Sequence, residues 1–196
     1  MNRENLRELH FITPVANVPS ILERGILCHA MAERVPHDSA AMAEIQARRA
    51  RKRVPGGRPL HEYANLYFTA RNPMLFKRSD HREQLCVLGV SPAILDLPGV
   101  VITDANASSD YVRFAASPAG LAIVDAGRTF AKWWTHPDKI EYLRRKSAKC
   151  AEVLVPECVG PHHLVRAYVC SDDARVAFEA LGTGLPVAVD ANLFFL

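Results

Sequence analysis

The sequence predicts a single α+β domain spanning residues 1–196. Three observations carry that expectation. The chain is 196 residues long and 49% apolar, a length that allows one domain or at most two small ones and is enough to bury a real core. Its strand-like segments are short and rich in β-branched and aromatic residues. They alternate irregularly with helical segments, without the sustained strand–helix–strand rhythm of a doubly wound parallel sheet.

Taken in order, Leu9–Thr13 reads as a strand closed by Pro14. Asn17 is in place to cap a helix over Val18–Arg24, with Gly25 as its stop. Asp38 or Ser39 caps a second helix that carries Met42, Ile45 and Arg49 and runs to about Arg53, before the turn Pro55-Gly56-Gly57. Asn65–Thr69, Gln84–Val90 and Gly99–Thr103 read as strands, and Asp104–Ser109 as a turn. Phe130–Trp134 and Pro137–Lys149 read as helical. Glu152–Val155, Leu164–Cys170 and Pro186–Val189 are strands, with a helix over Asp172–Leu181 stopped by Gly182.

Net charge is +3, from 24 basic and 21 acidic residues, too mild to imply a polyanionic partner. Its distribution says more. No acid falls between Glu44 and Glu62, where Arg48, Arg49, Arg51, Lys52, Arg53 and Arg58 cluster. Such a patch attracts phosphates. No apolar run approaches the roughly 20 residues of a membrane helix, and the polar start MNRENLRELH does not read as a secretory signal, so a cytoplasmic protein is expected.

Several chemistries are excluded. The chain has no GxGxxG or GxxxxGK[ST] phosphate loop, no GxSxG elbow and no HExxH. The five cysteines are odd in number and scattered, which fits reduced thiols. Cys150, Cys158, His162 and His163 can be drawn as a zinc site, but their spacing fits no common ligand pattern, and no metal is expected.

What remains are polar residues with two readings each. Glu152 opens an apolar strand, either as a solvent-facing end or as an acid at the lip of a cleft. Arg49 is either part of a solvated basic helix end or a clamp on phosphate or carbonyl. His10 and Thr13 lie among apolar residues, where a buried, hydrogen-bonded histidine is the plain alternative to a ligand contact. Tyr63, Tyr67 and Phe68 are core aromatics or, for the two tyrosines, stacking surfaces.

Four stretches, in order, carry a resemblance: LHFITPVANVPSILERGIL, IQARRARKRVPGGRPLHEYANLYFTARNPML, TDANASSDYVRF and KCAEVLVP. Together they resemble the DarT family of bacterial toxins, DNA ADP-ribosyltransferases of toxin–antitoxin pairs. The second stretch is the most distinctive, with IQ-x-RR, then VP, LH-[DE]-Y, and YF followed by RxPML. The chain departs from some relatives where His10 precedes Phe11 rather than Ile-Thr, and where Asn106 stands at a position that some relatives fill with histidine.

The resemblance implies an ADP-ribosyltransferase-like fold, two small β-sheets around an NAD-binding cleft with flanking helices. It places the key glutamate at Glu152 and the key arginine at Arg49. His10, Phe11, Ile12, Thr13, Asn17, Ser20 and Arg49 are then the expected NAD contacts. The expected activity transfers ADP-ribose from NAD to a base of single-stranded DNA and releases nicotinamide, with no metal. Arg48, Arg51, Lys52 and Arg53 are expected on DNA phosphates, Tyr63 and Tyr67 on bases, and Asn106 and Arg113 on the DNA side of the cleft. A cognate antitoxin, either a macrodomain ADP-ribosyl hydrolase or a blocking protein, is the expected partner. The residues leave open thymine against guanine. They also leave open RNA or protein as acceptor, and a non-catalytic nucleic-acid-binding module with a degenerate NAD cleft.

Overall fold

The fold is organised by a break in its main sheet. The computed structural model describes residues 1–196. Its strands are β1 (Leu9–Pro14), β2 (Ile26–Leu27), β3 (Tyr63–Tyr67), β4 (Leu85–Val90), β5 (Val101–Thr103), β6 (Phe114–Ala116), β7 (Glu152–Pro156), β8 (Cys158–Val159), β9 (Leu164–Val169) and β10 (Val187–Val189). Eight of them form one ladder in the order β10-β9-β4-β1-β3-β7-β5-β6, and β2 pairs β8.

That ladder is two four-stranded halves. β1 pairs with β4 over six residues, yet it meets β3 at His10↔Tyr67 alone. The two small sheets expected from the resemblance are therefore the halves of a single ladder that nearly parts between β1 and β3. β4 is buried along its whole length and β7 along all but its last residue, so both are almost continuously apolar, as strands covered on both faces must be. Pairing is antiparallel except at one edge, where β9, the helix Asp172–Glu179 and β10 make a parallel crossover unit.

The helices are α1 (Val18–Arg24), α2 (His29–Ala32), α3 (Ala43–Arg49), α4 (Pro73–Phe76), α5 (Ala126–Phe130), α6 (Lys139–Ala148) and α7 (Asp172–Glu179). None is long and apolar enough to cross a membrane. Side-chain caps set several starts: Asn72 for α4, Asp125 for α5, Asp138 for α6 and Ser171 for α7.

Four local expectations are corrected. Asn17 sits ahead of α1 but its side chain makes no cap bond; it bonds Thr13 and Asp38 instead. The second helix starts at Ala43 rather than Asp38 or Ser39, because Asp38 is held by Asn17 and the Ser39 hydroxyl accepts from the Ala41 amide. It ends at Arg49, since the chain then folds back, with the Leu60 amide donating to the Lys52 carbonyl. Of Phe130–Trp134 only Phe130 is helical, as the last residue of α5: the Asp125 cap starts that helix upstream, and the two tryptophans that follow pack with Phe76 and Phe195.

The main core holds 34 buried residues, and a second cluster of five joins Val54, Leu60, Tyr63, Ala107 and Leu154. All five cysteines are free, and no group of three or more His, Cys, Asp or Glu is placed to hold a metal.

Gly25 ends α1 at φ +87°, a conformation open to glycine, and an added Cβ would lie 2.4 Å from the Val159 carbonyl oxygen. Gly25→Ala should cost about 2–3 kcal/mol of stability in urea unfolding. Unchanged stability would show that the α1–β8 approach is looser than drawn.

Candidate active site

Beyond the His10↔Tyr67 pair, β1 and β3 are no longer bonded, and the gap between them opens into a cleft of about 1290 Å³. Phe11, Ile12, Thr13 and Pro14 line it from β1, and Asn65 and Tyr67 from β3. Asn17 and Ser20 add the turn and first helix beyond β1. Arg48, Arg49, Arg51 and Lys52 line it from the end of α3, and Asn106 and Ser108–Tyr111 from the β5–β6 loop. Ile140, Leu143 and Arg144 of α6 line another side.

At the base of this cleft lies an ion pair. The Glu152 side chain is 0% exposed and that of Arg49 is 7% exposed, and the Arg49 guanidinium donates to Glu152 Oε2 at 2.9 Å. The other carboxylate oxygen accepts from the Ala107 amide at 3.0 Å. The Glu152 backbone amide donates to the Thr103 hydroxyl at 3.1 Å, and that hydroxyl donates to the Ala105 carbonyl at 2.7 Å. Strand β7, helix α3 and the β5–β6 loop therefore all meet at one carboxylate.

Glu152 does not itself line the cleft; Arg49 stands between it and the open space. The second terminal nitrogen of Arg49 (Nη2) is buried without a hydrogen-bond partner. A buried unpaired donor is costly, and it is the natural seat for an acceptor atom that enters the cleft. Tyr67 is the register partner of Glu152, and its phenol is held well above the ordinary range by burial first and the Glu152 carboxylate second. Burial likewise pushes the neighbouring Cys150 thiol up to about 12, so it is protonated and not a nucleophile. The floor of the cleft thus presents one guanidinium and a neutral phenol, with one fixed carboxylate directly behind the guanidinium; brought to a bound ligand, that carboxylate is the group suited to stabilising developing positive charge.

The cleft's outer wall is the irregular stretch 37–42. Two side chains stitch it down: Asn17 exchanges two bonds with Asp38, and the Arg78 guanidinium donates to the carbonyls of Ala40 and Ala41. Neither partnership is legible in sequence, because each joins residues some 20 to 40 positions apart through backbone carbonyls and amides.

Four expected site residues fall elsewhere. The His10 side chain faces away from the cleft, into a second cavity of about 540 Å³ with Glu8, Arg166 and Tyr168; burial lowers its imidazole pKa. His10 is the residue at which β1 still meets β3, and the cleft opens only beyond that pair. Tyr63 is 5% exposed in the second core cluster, closed over by Val54 and Leu60, and offers no stacking face. Arg53 turns outward to the Gly57 carbonyl. Arg113 braces its own loop, bonding Asp104 and the Ile123 carbonyl, and does not line the cleft. Lys52 is in the cleft but engaged, 2.6 Å from Asp110.

Some lining residues carried no reading in sequence. As cleft residues, Tyr111, Asn65 and the α6 face are among them. The one available signal was in α6: Ile140 and Leu143 are three apart on a short helix otherwise dense in charge, and both remain exposed.

Comparison with known proteins gives a consistent result. The family model described as "DarT: ssDNA thymidine ADP-ribosyltransferase, DarT" matches residues 10–195. A DNA ADP-ribosyl transferase–DNA ADP-ribosyl glycohydrolase fusion protein of Thermosipho africanus (strain H17ap60334) is 32% identical over 97% of this chain and 50% of its own length. The chain therefore spans about half of that relative. The structure of Thermosipho africanus DarTG in complex with ADP-ribose superposes with a TM-score of 0.85 at 31% identity, over 97% of this chain and 51% of that one. Thermus sp. 2.9 DarT in complex with ADP-ribosylated ssDNA gives a TM-score of 0.83 at 26% identity, over 96% of each chain.

Removing one member of a buried ion pair strands the other charge. Arg49→Ala should therefore lose about 3 kcal/mol of stability at neutral pH, measured by urea unfolding. The Arg49→Ala/Glu152→Ala double variant should recover part of that loss. Equal stability of Arg49→Ala and the parent would mean that water already reaches the carboxylate.

Proposed function

The chain belongs to the DarT family of ssDNA thymidine ADP-ribosyltransferases, and from that premise we propose that it transfers ADP-ribose from NAD onto a base of single-stranded DNA and releases nicotinamide. The observation that carries the reading is the Arg49–Glu152 pair at the base of a cleft large enough for a dinucleotide, within a fold whose relatives were solved with ADP-ribose and with ADP-ribosylated ssDNA. The family description names thymidine as the base, and thymidine is the acceptor proposed here.

NAD enters as a substrate between β1 and β3. The β1 residues Phe11, Ile12 and Thr13, with Asn17 and Ser20, hold it, and Arg49 Nη2 takes one of its oxygen atoms or a carbonyl of the acceptor base. The bond from ribose C1′ to nicotinamide breaks, and its electron pair leaves with neutral nicotinamide. Positive charge then develops on the ribose, as at other glycosidic centres. Glu152 stabilises that charge once the Arg49 guanidinium shifts aside to let the carboxylate meet the sugar. The base nitrogen bonds to C1′ and gives up its proton, for which the same carboxylate is the acceptor. Arg49 stays charged throughout, so its part is positioning and electrostatics.

Arg48, Arg51 and Lys52 lie at the cleft and track the DNA phosphates. A base in a single strand needs no costly unpairing before it enters. The cytoplasm, where DNA and NAD coexist, is the proposed place of reaction. An ADP-ribosyl glycohydrolase is the proposed antitoxin, matching the second activity in the name of the Thermosipho fusion.

Mass spectrometry of dT-, dC-, dA- and dG-containing single strands after incubation with NAD tests the proposal. The expected product is one ADP-ribose adduct on the dT strand alone, with release of an equal amount of nicotinamide. Adducts only on RNA or on protein, or none at all with NAD intact, would overturn it. If about three phosphates are neutralised, affinity for a single strand should fall roughly twentyfold between 50 and 200 mM salt. A flat salt response would remove the basic residues from the DNA path.

A further inference from the structure

Tyr111 is 95% exposed, more than any other large apolar or aromatic side chain of the protein, and it lines the catalytic cleft. Single exposed aromatics are ordinary on protein surfaces, so exposure alone decides nothing. The loop that carries it does. At one end of the loop, the Asn106 side chain accepts from the Ser108 amide and hydroxyl, and the Ala107 amide holds the Glu152 carboxylate. At the other end, Arg113 is fixed to Asp104 through both its backbone amide and its guanidinium. Next to the tyrosine, Asp110 is bound to Lys52 at 2.6 Å, tying the loop tip to the basic end of α3. The loop is thus anchored on both sides, and its tip holds an aromatic ring in water at the cleft.

We propose that Tyr111 is a stacking platform for a base of the single-stranded DNA substrate. The inference rests on the DNA reading above and goes beyond it by naming the residue and the kind of contact. Proteins that hold single strands combine a positive track for phosphates with aromatic faces for bases. Here Arg48 and Arg51, both exposed, supply the track beside the ring. Tyr63, expected from sequence to stack, is closed into the core, and Tyr67 is almost wholly buried; Tyr111 is the tyrosine of the cleft with a free face. A ring on a loop that is already ordered gives up little conformational freedom when a base docks. The same loop fixes the carboxylate through the Ala107 amide, so a base stacked on Tyr111 is registered against the reacting centre.

The test is a titration of the full chain with a fluorescently labelled single-stranded oligonucleotide in the absence of NAD, read by anisotropy. The series comprises the parent, Tyr111→Phe, Tyr111→Trp and Tyr111→Leu. Leucine keeps apolar bulk but has no π face, so a role in mere packing would spare it. The expected result is parental affinity for the Phe and Trp variants and about tenfold weaker binding for Leu, with thermal unfolding unchanged across the series. Parental affinity for the Leu variant would overturn the stacking role and leave the DNA reading standing. Equal weakening in the Phe, Trp and Leu variants would overturn it too, by assigning the effect to the hydroxyl. Failure of the parent to bind any single strand would overturn the DNA reading itself and this inference with it.

Discussion

The Arg49–Glu152 ion pair is the contact on which the rest of the structure depends. It joins residues 103 positions apart and lies where helix α3, strand β7 and the β5–β6 loop converge. A carboxylate wholly removed from water is tolerated only with compensation, and here a guanidinium and a backbone amide supply it. The guanidinium faces the cleft with one nitrogen unsatisfied. The pair is therefore complete as a structural element but incomplete as a hydrogen-bonding site, which is the condition of a site built to receive something.

The second determinant is the near-break between β1 and β3. A fully zipped ladder would leave no room above Glu152. Because the strands meet at His10↔Tyr67 alone, Ile12 and Asn65, which would face one another in a zipped antiparallel register, line a cavity instead. The same break explains why β1 serves two sides of the protein. Its Phe11 to Pro14 segment lines the cleft, while His10 falls into a separate pocket with Glu8 and Tyr168.

Much of this was legible in the residues. The strands and helices with strong periodicity or clear stops, such as α1 before Gly25 and α7 before Gly182, lie where they were expected. The four ordered motifs led to Glu152 and Arg49, which the fold brings to 2.9 Å. What composition and spacing missed was set by tertiary contact. The two-residue strands β2 and β8 exist only because they pair with each other, and no local pattern marks them. The face that a side chain takes decided His10, and closure of a small core decided Tyr63. The aromatics after Phe130 look helical by spacing, but a cap at Asp125 and packing with Phe76 and Phe195 claim them. Tyr111 lies within the TDANASSDYVRF stretch, but nothing local distinguishes a ring in water from a ring in a core.

The account's central claim is that a carboxylate sealed behind an arginine carries the chemistry. Glu152→Gln tests it most directly, because the side chain keeps its shape and one acceptor oxygen, while the charge and the second of the two acceptors that serve Arg49 and Ala107 are removed. The measurement is the rate of ADP-ribose transfer from NAD to a thymidine-containing single strand, followed by mass spectrometry, with folding checked by thermal unfolding. The account predicts a folded protein whose transfer falls by at least about a hundredfold. Transfer at the parental rate by the folded Gln variant would contradict it.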